Sequence, residues 1–139
     1  MKKNIVGAVI LALSLLLVAG SAWIFPTCVP KSDGSWMSCH WSQQTVIGIG
    51  IVLVILSITY LILSQRSVRA GLSLAIVPVG LLAIAVPNGL IGLCGMSEMQ
   101  CQTVFRPAVT IISSVIVLLT AFNAFLLFKA ERKREPDQT

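Results

Sequence analysis

The chain has 139 residues, 56% of them hydrophobic and 11% charged, with a net charge of +5 at pH 7 and a mean hydropathy of +0.93. That apolar share is above, and that charged share well below, those of ordinary soluble domains, which excludes a soluble fold. The positive charge requires no nucleic acid, because basic residues gather at one set of helix ends in membrane proteins.

Four apolar stretches follow one another: Asn4 to Phe25, Thr45 to Ser64, Ala70 to about Leu93, and Pro107 to Phe128. Each approaches or exceeds the roughly 20 helical residues needed to cross a hydrocarbon core. No set of segments alternates with period two, which excludes a membrane barrel. The predicted fold is all-α, a four-transmembrane-helix bundle forming one integral membrane domain over residues 1–139. Outer loops are expected at 26–44 and 94–106, an inner turn at 65–69 and a tail at 129–139. The first stretch also carries a basic start and small residues Gly20, Ser21 and Ala22, as a signal peptide does. Its apolar run continues through Trp23, Ile24 and Phe25, longer than most signal cores, so it is expected to remain as a span.

Orientation follows from the basic residues. Lys2, Lys3, Arg66, Arg69, Lys129, Arg132, Lys133 and Arg134 fall at one set of helix ends, and only Lys31 and Arg106 at the other. Both termini and the 65–69 turn are therefore expected in the cytoplasm, with Cys28, Cys39, Cys94 and Cys101 outside. The tail is expected to be attracted to anionic membrane lipid.

The outer loops align on their second cysteines, Trp36-Met37-Ser38-Cys39-His40 against Glu98-Met99-Gln100-Cys101-Gln102. This weak repeat predicts two helical hairpins related by an axis along the membrane normal. Gly48, Gly50, Gly80 and Ala83 offer flat surfaces for helix contact, and Pro78 and Pro87 interrupt the third span. Trp23, Trp36 and Trp41 sit at the outer level and are expected to act as headgroup anchors. No Asp, Glu, Lys, Arg or His falls within the apolar stretches, which argues against a proton relay or ion pathway. Ser57, Thr59, Tyr60, Thr110, Ser113, Ser114, Thr120 and Asn123 are expected to be hydrogen-bond partners between helices.

Phe25-Pro26-Thr27-Cys28, Met37-Ser38-Cys39-His40-Trp41-Ser42, Cys94-Gly95, Met99-Gln100-Cys101 and Pro107-Ala108 together resemble a family of bacterial four-span proteins. That family is catalogued as domain of unknown function 4418. The resemblance covers nearly the whole chain, and the Met-x-Cys-His-Trp string is its most specific part. It implies a prokaryotic membrane protein and supplies no activity; the expected location is a bacterial cytoplasmic membrane.

Four cysteines outside the membrane lie where disulfides persist. They allow three connectivities, of which Cys28 with Cys39 and Cys94 with Cys101 is favoured, each pair being local and spanning turn formers. The result would be a small disulfide-stapled extracytoplasmic cap, each bridge stabilising by about 2 to 3 kcal/mol in the chain-entropy model. The layout also resembles that of the quinone-linked disulfide-generating membrane enzymes, although neither pair has their Cys-x-x-Cys spacing. On that reading His40 would take a proton from Cys39 and Arg106 would hold a quinone oxygen. A third reading makes Met37, Cys39, His40, Met96, Met99 and Cys101 a soft ligand set for copper or haem. No nucleotide-binding or hydrolase motif is present.

Together these residues point to a small polytopic accessory or interaction subunit of a membrane complex such as a transporter, more a structural protein than an enzyme. It is expected to associate with itself or with a larger membrane protein, and no cofactor is firmly predicted.

Overall fold

The computed structural model of the chain describes residues 2–24, 32–35, 38–91 and 101–133. It contains four long helices: α1 Lys2–Ala19, α2 Ser38–Ile62, α3 Arg66–Ala85 and α4 Arg106–Arg132. Wider π-type turns extend three of them, Gly20–Ile24 after α1, Val86–Leu90 after α3 and Cys101–Phe105 before α4. Among the described residues there is no strand. All four helices are long and apolar enough to cross a membrane.

Successive helices pack side by side and α4 returns to α1, which closes a ring. The α1/α2 and α3/α4 pairs make the broadest contacts, so the bundle consists of two hairpins. Only residues 63–65 join α2 to α3, a length that forces the two to run antiparallel. The start of α1, the end of α4 and that turn therefore share one end of the bundle, termed here the terminal end. Cys39 and Cys101 belong to the opposite, cysteine end.

The buried positions repeat every three or four residues. In α4 they are Val109, Ser113, Ile116, Thr120, Asn123, Ala124 and Leu127, and in α3 Arg69, Ala70, Ser73, Ile76, Gly80 and Ala83. This is the narrow seam of coiled-coil packing, with one stripe inward and the rest of each helix outward. At mid-height the interior is filled by Ile10, Leu17, Leu53, Ile76 and Ile116, none more than 1% exposed. Lipid tails are as apolar as these side chains, so the seam is held by close packing rather than by escape from water.

Small residues set how near the helices come. A Cβ placed on Gly50 would lie 2.6 Å from Val18 Cγ2, and one on Gly80 2.6 Å from Val117 Cγ2, which accounts for both glycines as contact surfaces. Gly7 does the same for α1 against Leu61 and Tyr60 of α2. Gly48 differs from expectation: nothing lies within 4 Å of a Cβ there, so it faces away from the bundle.

The prolines of the third span act differently from one another. Pro78 removes one amide from the ladder yet lies inside a continuous α3, with its ring exposed. Pro87 falls where the α-geometry gives way to the π-type turn, closed by the Ile91 amide donating to Val86 O at 3.1 Å. The helical ladder of that span ends there.

Candidate functional site

Hydrogen-bonded polar side chains collect at both ends of the bundle. At the terminal end all four helices contribute to one cluster. Asn123 of α4 donates from Nδ2 to the Tyr60 hydroxyl of α2 at 2.9 Å and to Ser73 Oγ of α3 at 3.2 Å. The guanidinium carbon of Arg69 in α3 lies 5.2 Å from the centroid of the same Tyr60 ring. Arg69 Nε donates to Leu63 O at 2.6 Å, and its terminal nitrogens approach Asn4 Oδ1 of α1 at 3.5 Å.

Arg69 is counted in the sequence among the basic residues at one set of helix ends, and there the structure buries it. The residue is 6% exposed. Its helix begins at Arg66, so the guanidinium belongs to the first turn of the span rather than to a loop before it. Among the described residues no carboxylate pairs with it; the charge is met by three other features. Leu63 O lies just past the end of α2, where unsatisfied carbonyls carry the negative end of the helix dipole. The Tyr60 ring presents its electron-rich face, an arrangement worth about 0.5 to 2 kcal/mol depending on desolvation. Asn4 supplies an oxygen from α1. Arg69 thus clasps the hairpin turn to the first helix.

At the cysteine end a second cluster ties the π-type turn of α3 to α4. Arg106 Nε donates to Asn88 Oδ1 at 2.8 Å, and Asn88 Nδ2 donates to Thr110 Oγ1 at 3.1 Å and to Ile84 O at 2.8 Å. Thr110 in turn donates to Arg106 O at 2.7 Å. Across the bundle Gln43 Nε2 donates to Ser21 O, joining the start of α2 to the end of the first span. Ser21, Ser42 and Ser113 carry buried hydroxyls with no hydrogen-bond partner among the described residues.

The family model described as Domain of unknown function (DUF4418) matches residues 9–126 of this architecture. The chain belongs to that DUF4418 family. The match takes in most of all four helices and both polar clusters apart from Asn4. No curated protein and no solved structure matches the chain.

In this DUF4418 protein the sequence-derived candidates are only partly placed. Cys39 occupies the first turn of α2 and Cys101 opens the π-type turn before α4. Helix α2 begins at Ser38, seven residues before the apolar run, so His40 is helical rather than part of a loop. Its ring meets Trp41 edge to face, with centroids 6.0 Å apart at 76°. Arg106 sits at the head of α4, held by Asn88. Cys28, Met37, Cys94, Met96 and Met99 lie outside the described residues, as does the expected disulfide cap built on them. Among the described residues no three of His, Cys, Asp and Glu come together as a metal centre would require. Trp23 and Trp41 are 83% and 61% exposed at the cysteine end, where a headgroup anchor would point outward.

The expected interhelical hydrogen bonds are fewer than the sequence suggests. Ser57, Thr59 and Thr120 donate to carbonyls four residues back in their own helices, at 2.7, 2.9 and 2.7 Å. A hydroxyl on a short side chain reaches its own preceding turn more readily than a neighbouring helix. Among the described residues the bonds between helices come from longer side chains, Asn123, Asn88, Gln43, Arg69 and Arg106, with Tyr60, Ser73 and Thr110 among the groups receiving them.

Proposed function

We propose that the protein is a non-catalytic accessory or interaction subunit of a membrane complex, such as a transporter, and works by lateral association with itself or a larger partner. The observation that carries this reading is the distribution of burial. Between 33 and 39% of each apolar span window is buried inside the bundle, so most of every span faces outward. The interior between the two polar clusters is mostly aliphatic, with Ser14, Ser57, Ser113 and Thr120 buried along it, and among the described residues no ionisable side chain is buried between the clusters. Ile111, Leu118, Phe122 and Phe125 form an outward stripe along α4, each more than 60% exposed. With the terminal end cytoplasmic, as the basic residues favour, the cysteine end faces outward and completes the contact surface.

Photo-crosslinking in native membranes tests this, with a photoreactive residue at Leu118 or Phe122 of α4, clear of the groove at the terminal end, and, for comparison, at Ile55 of α2. Association predicts that the α4 positions yield one defined protein adduct, either a second copy or one recurring partner. Lipid adducts alone from both faces would reject it.

A second reading is favoured by the position of Cys39. Cys39 belongs to the first turn of α2, and His40 follows directly in the sequence. In quinone-linked thiol oxidation, two thiols would form one disulfide while two electrons and two protons reduce quinone to hydroquinone. Alkylation before and after graded reduction in intact membranes tests it: the reading requires one cysteine pair to reduce readily and to reoxidise with added quinone. Four bridged cysteines that resist reductant would leave only the structural cap, while free thiols with copper or iron on the same sample would support the metal or haem reading.

A further inference from the structure

At the terminal end two adjoining grooves share one carboxylate. The larger, about 690 Å³, is lined by Phe125, Phe128, Lys129, Glu131 and Arg132 of α4. The smaller, about 320 Å³, is lined by Gln65, Arg66 and Ser67 before and in α3 and by Ala130 and Glu131 of α4. Lys129 and Arg132 are exposed on one side of Glu131 and Arg66 on the other, with Glu131 itself half-buried. Among the described residues Glu131 makes no ion pair, although three cations surround its groove. Phe125 and Phe128 are 65% and 46% exposed and border the polar residues on the side of the span.

We propose that this groove is a binding site for an aminophospholipid, a phosphodiester carrying a primary ammonium, with phosphatidylethanolamine as its simplest form. The proposal rests on the reading that the four helices cross a bilayer, which puts this end at a headgroup boundary. Its phosphate has Arg66, Lys129 and Arg132 as partners, by the charge-assisted contacts these side chains make to phosphate oxygens. Its ammonium has Glu131, and its acyl chains have the Phe125 and Phe128 rings. A purely anionic headgroup gains the same cations but meets the Glu131 carboxylate without compensation. A choline headgroup keeps the charge but has no N–H to donate. The alternation of cation, carboxylate and cation is therefore complementary to the zwitterion with a primary amine.

The test is lipid titration of the detergent-solubilised full chain, read by native mass spectrometry as one-to-one adducts. Phosphatidylethanolamine is expected to bind about threefold more tightly than phosphatidylglycerol or phosphatidylcholine, the range of one partly exposed ion pair. Glu131→Gln should abolish that preference and raise phosphatidylglycerol binding. Asp33→Asn makes the same charge change at the exposed cysteine end and should leave the preference unchanged. On the unaltered protein, successive N-methylation of the ethanolamine should weaken the adduct step by step, a readout that needs no variant. Tighter binding of phosphatidylglycerol by the unaltered protein, an unchanged preference in E131Q, or indifference to methylation would each overturn the proposal.

Discussion

Arg69 lies over the face of Tyr60, 5.2 Å from its centroid, while the hydroxyl at the far end of that ring takes a hydrogen bond from Asn123. One side chain thereby links two helices' polar groups by two separate interactions, which substitution can divide. Tyr60→Phe keeps the ring under the guanidinium and loses the hydroxyl. It should cost about 0.6 kcal/mol, the average for a hydrogen bond between membrane helices, with about 1.7 as the ceiling. Tyr60→Leu also removes the cation's aromatic partner and should cost about 0.5 to 2 kcal/mol more. Reversible unfolding in mixed micelles measures both. Equal losses for the two variants would remove the ring from the account, and strict additivity of Tyr60→Phe with Asn123→Ala would remove the hydrogen bond.

The spans were legible in the sequence because hydropathy is a property of composition, and a helix in lipid leaves few other choices. Arg69 was not. A basic residue next to a turn reads as a headgroup charge, and only the packing of α2 against α1 and α3 shows a ring beneath it and an asparagine beside it. The local signal was the three-residue turn itself, which brings an arginine in the first turn of α3 back onto the carbonyl end of α2. Helix α2 also starts earlier than its apolar run, because Ser42 and Gln43 are polar yet buried. Gln43 is admitted there by the free carbonyl of Ser21, a partner that no window along α2 contains.

The glycines divide by what stands opposite them. At Gly80 a methyl would meet Val117 Cγ2 at 2.6 Å, and a valine in a helix has little rotameric freedom with which to yield. Gly80→Ala should therefore destabilise by about 1 to 3 kcal/mol as helices α3 and α4 are pushed apart. Gly48→Ala meets nothing and should be neutral or stabilising by up to about 1 kcal/mol through helix propensity. The same micelle unfolding measurement ranks the pair, and a Gly48 variant at least as damaging as the Gly80 one would contradict the packing described.

Reporter fusions after the C-terminus give the orientation. Eight basic residues flank the terminal end and two the cysteine end, a bias that should hold that end in the cytoplasm. Green fluorescent protein fused there should fluoresce and alkaline phosphatase should be inactive. The reverse pattern would place the cysteines in the reducing compartment and remove the basis for disulfides.

Asn88 bridges the π-type turn of α3 to the head of α4, receiving from Arg106 and donating to Thr110. Asn88→Leu keeps the branched shape, adds bulk that the exposed position can accommodate, and loses both contacts. Its exposure lets water replace part of what is lost, so the global cost should stay near 1 kcal/mol or below. The local effect should be larger, because the Ile91 amide closes the last turn only while that turn stays against α4. Hydrogen exchange should accelerate over residues 86–91 and leave residues 60–73 unchanged. Acceleration spread evenly along α3 would mean that Pro87 already uncouples nothing, and that the cysteine end and the Arg69 cluster open as one unit.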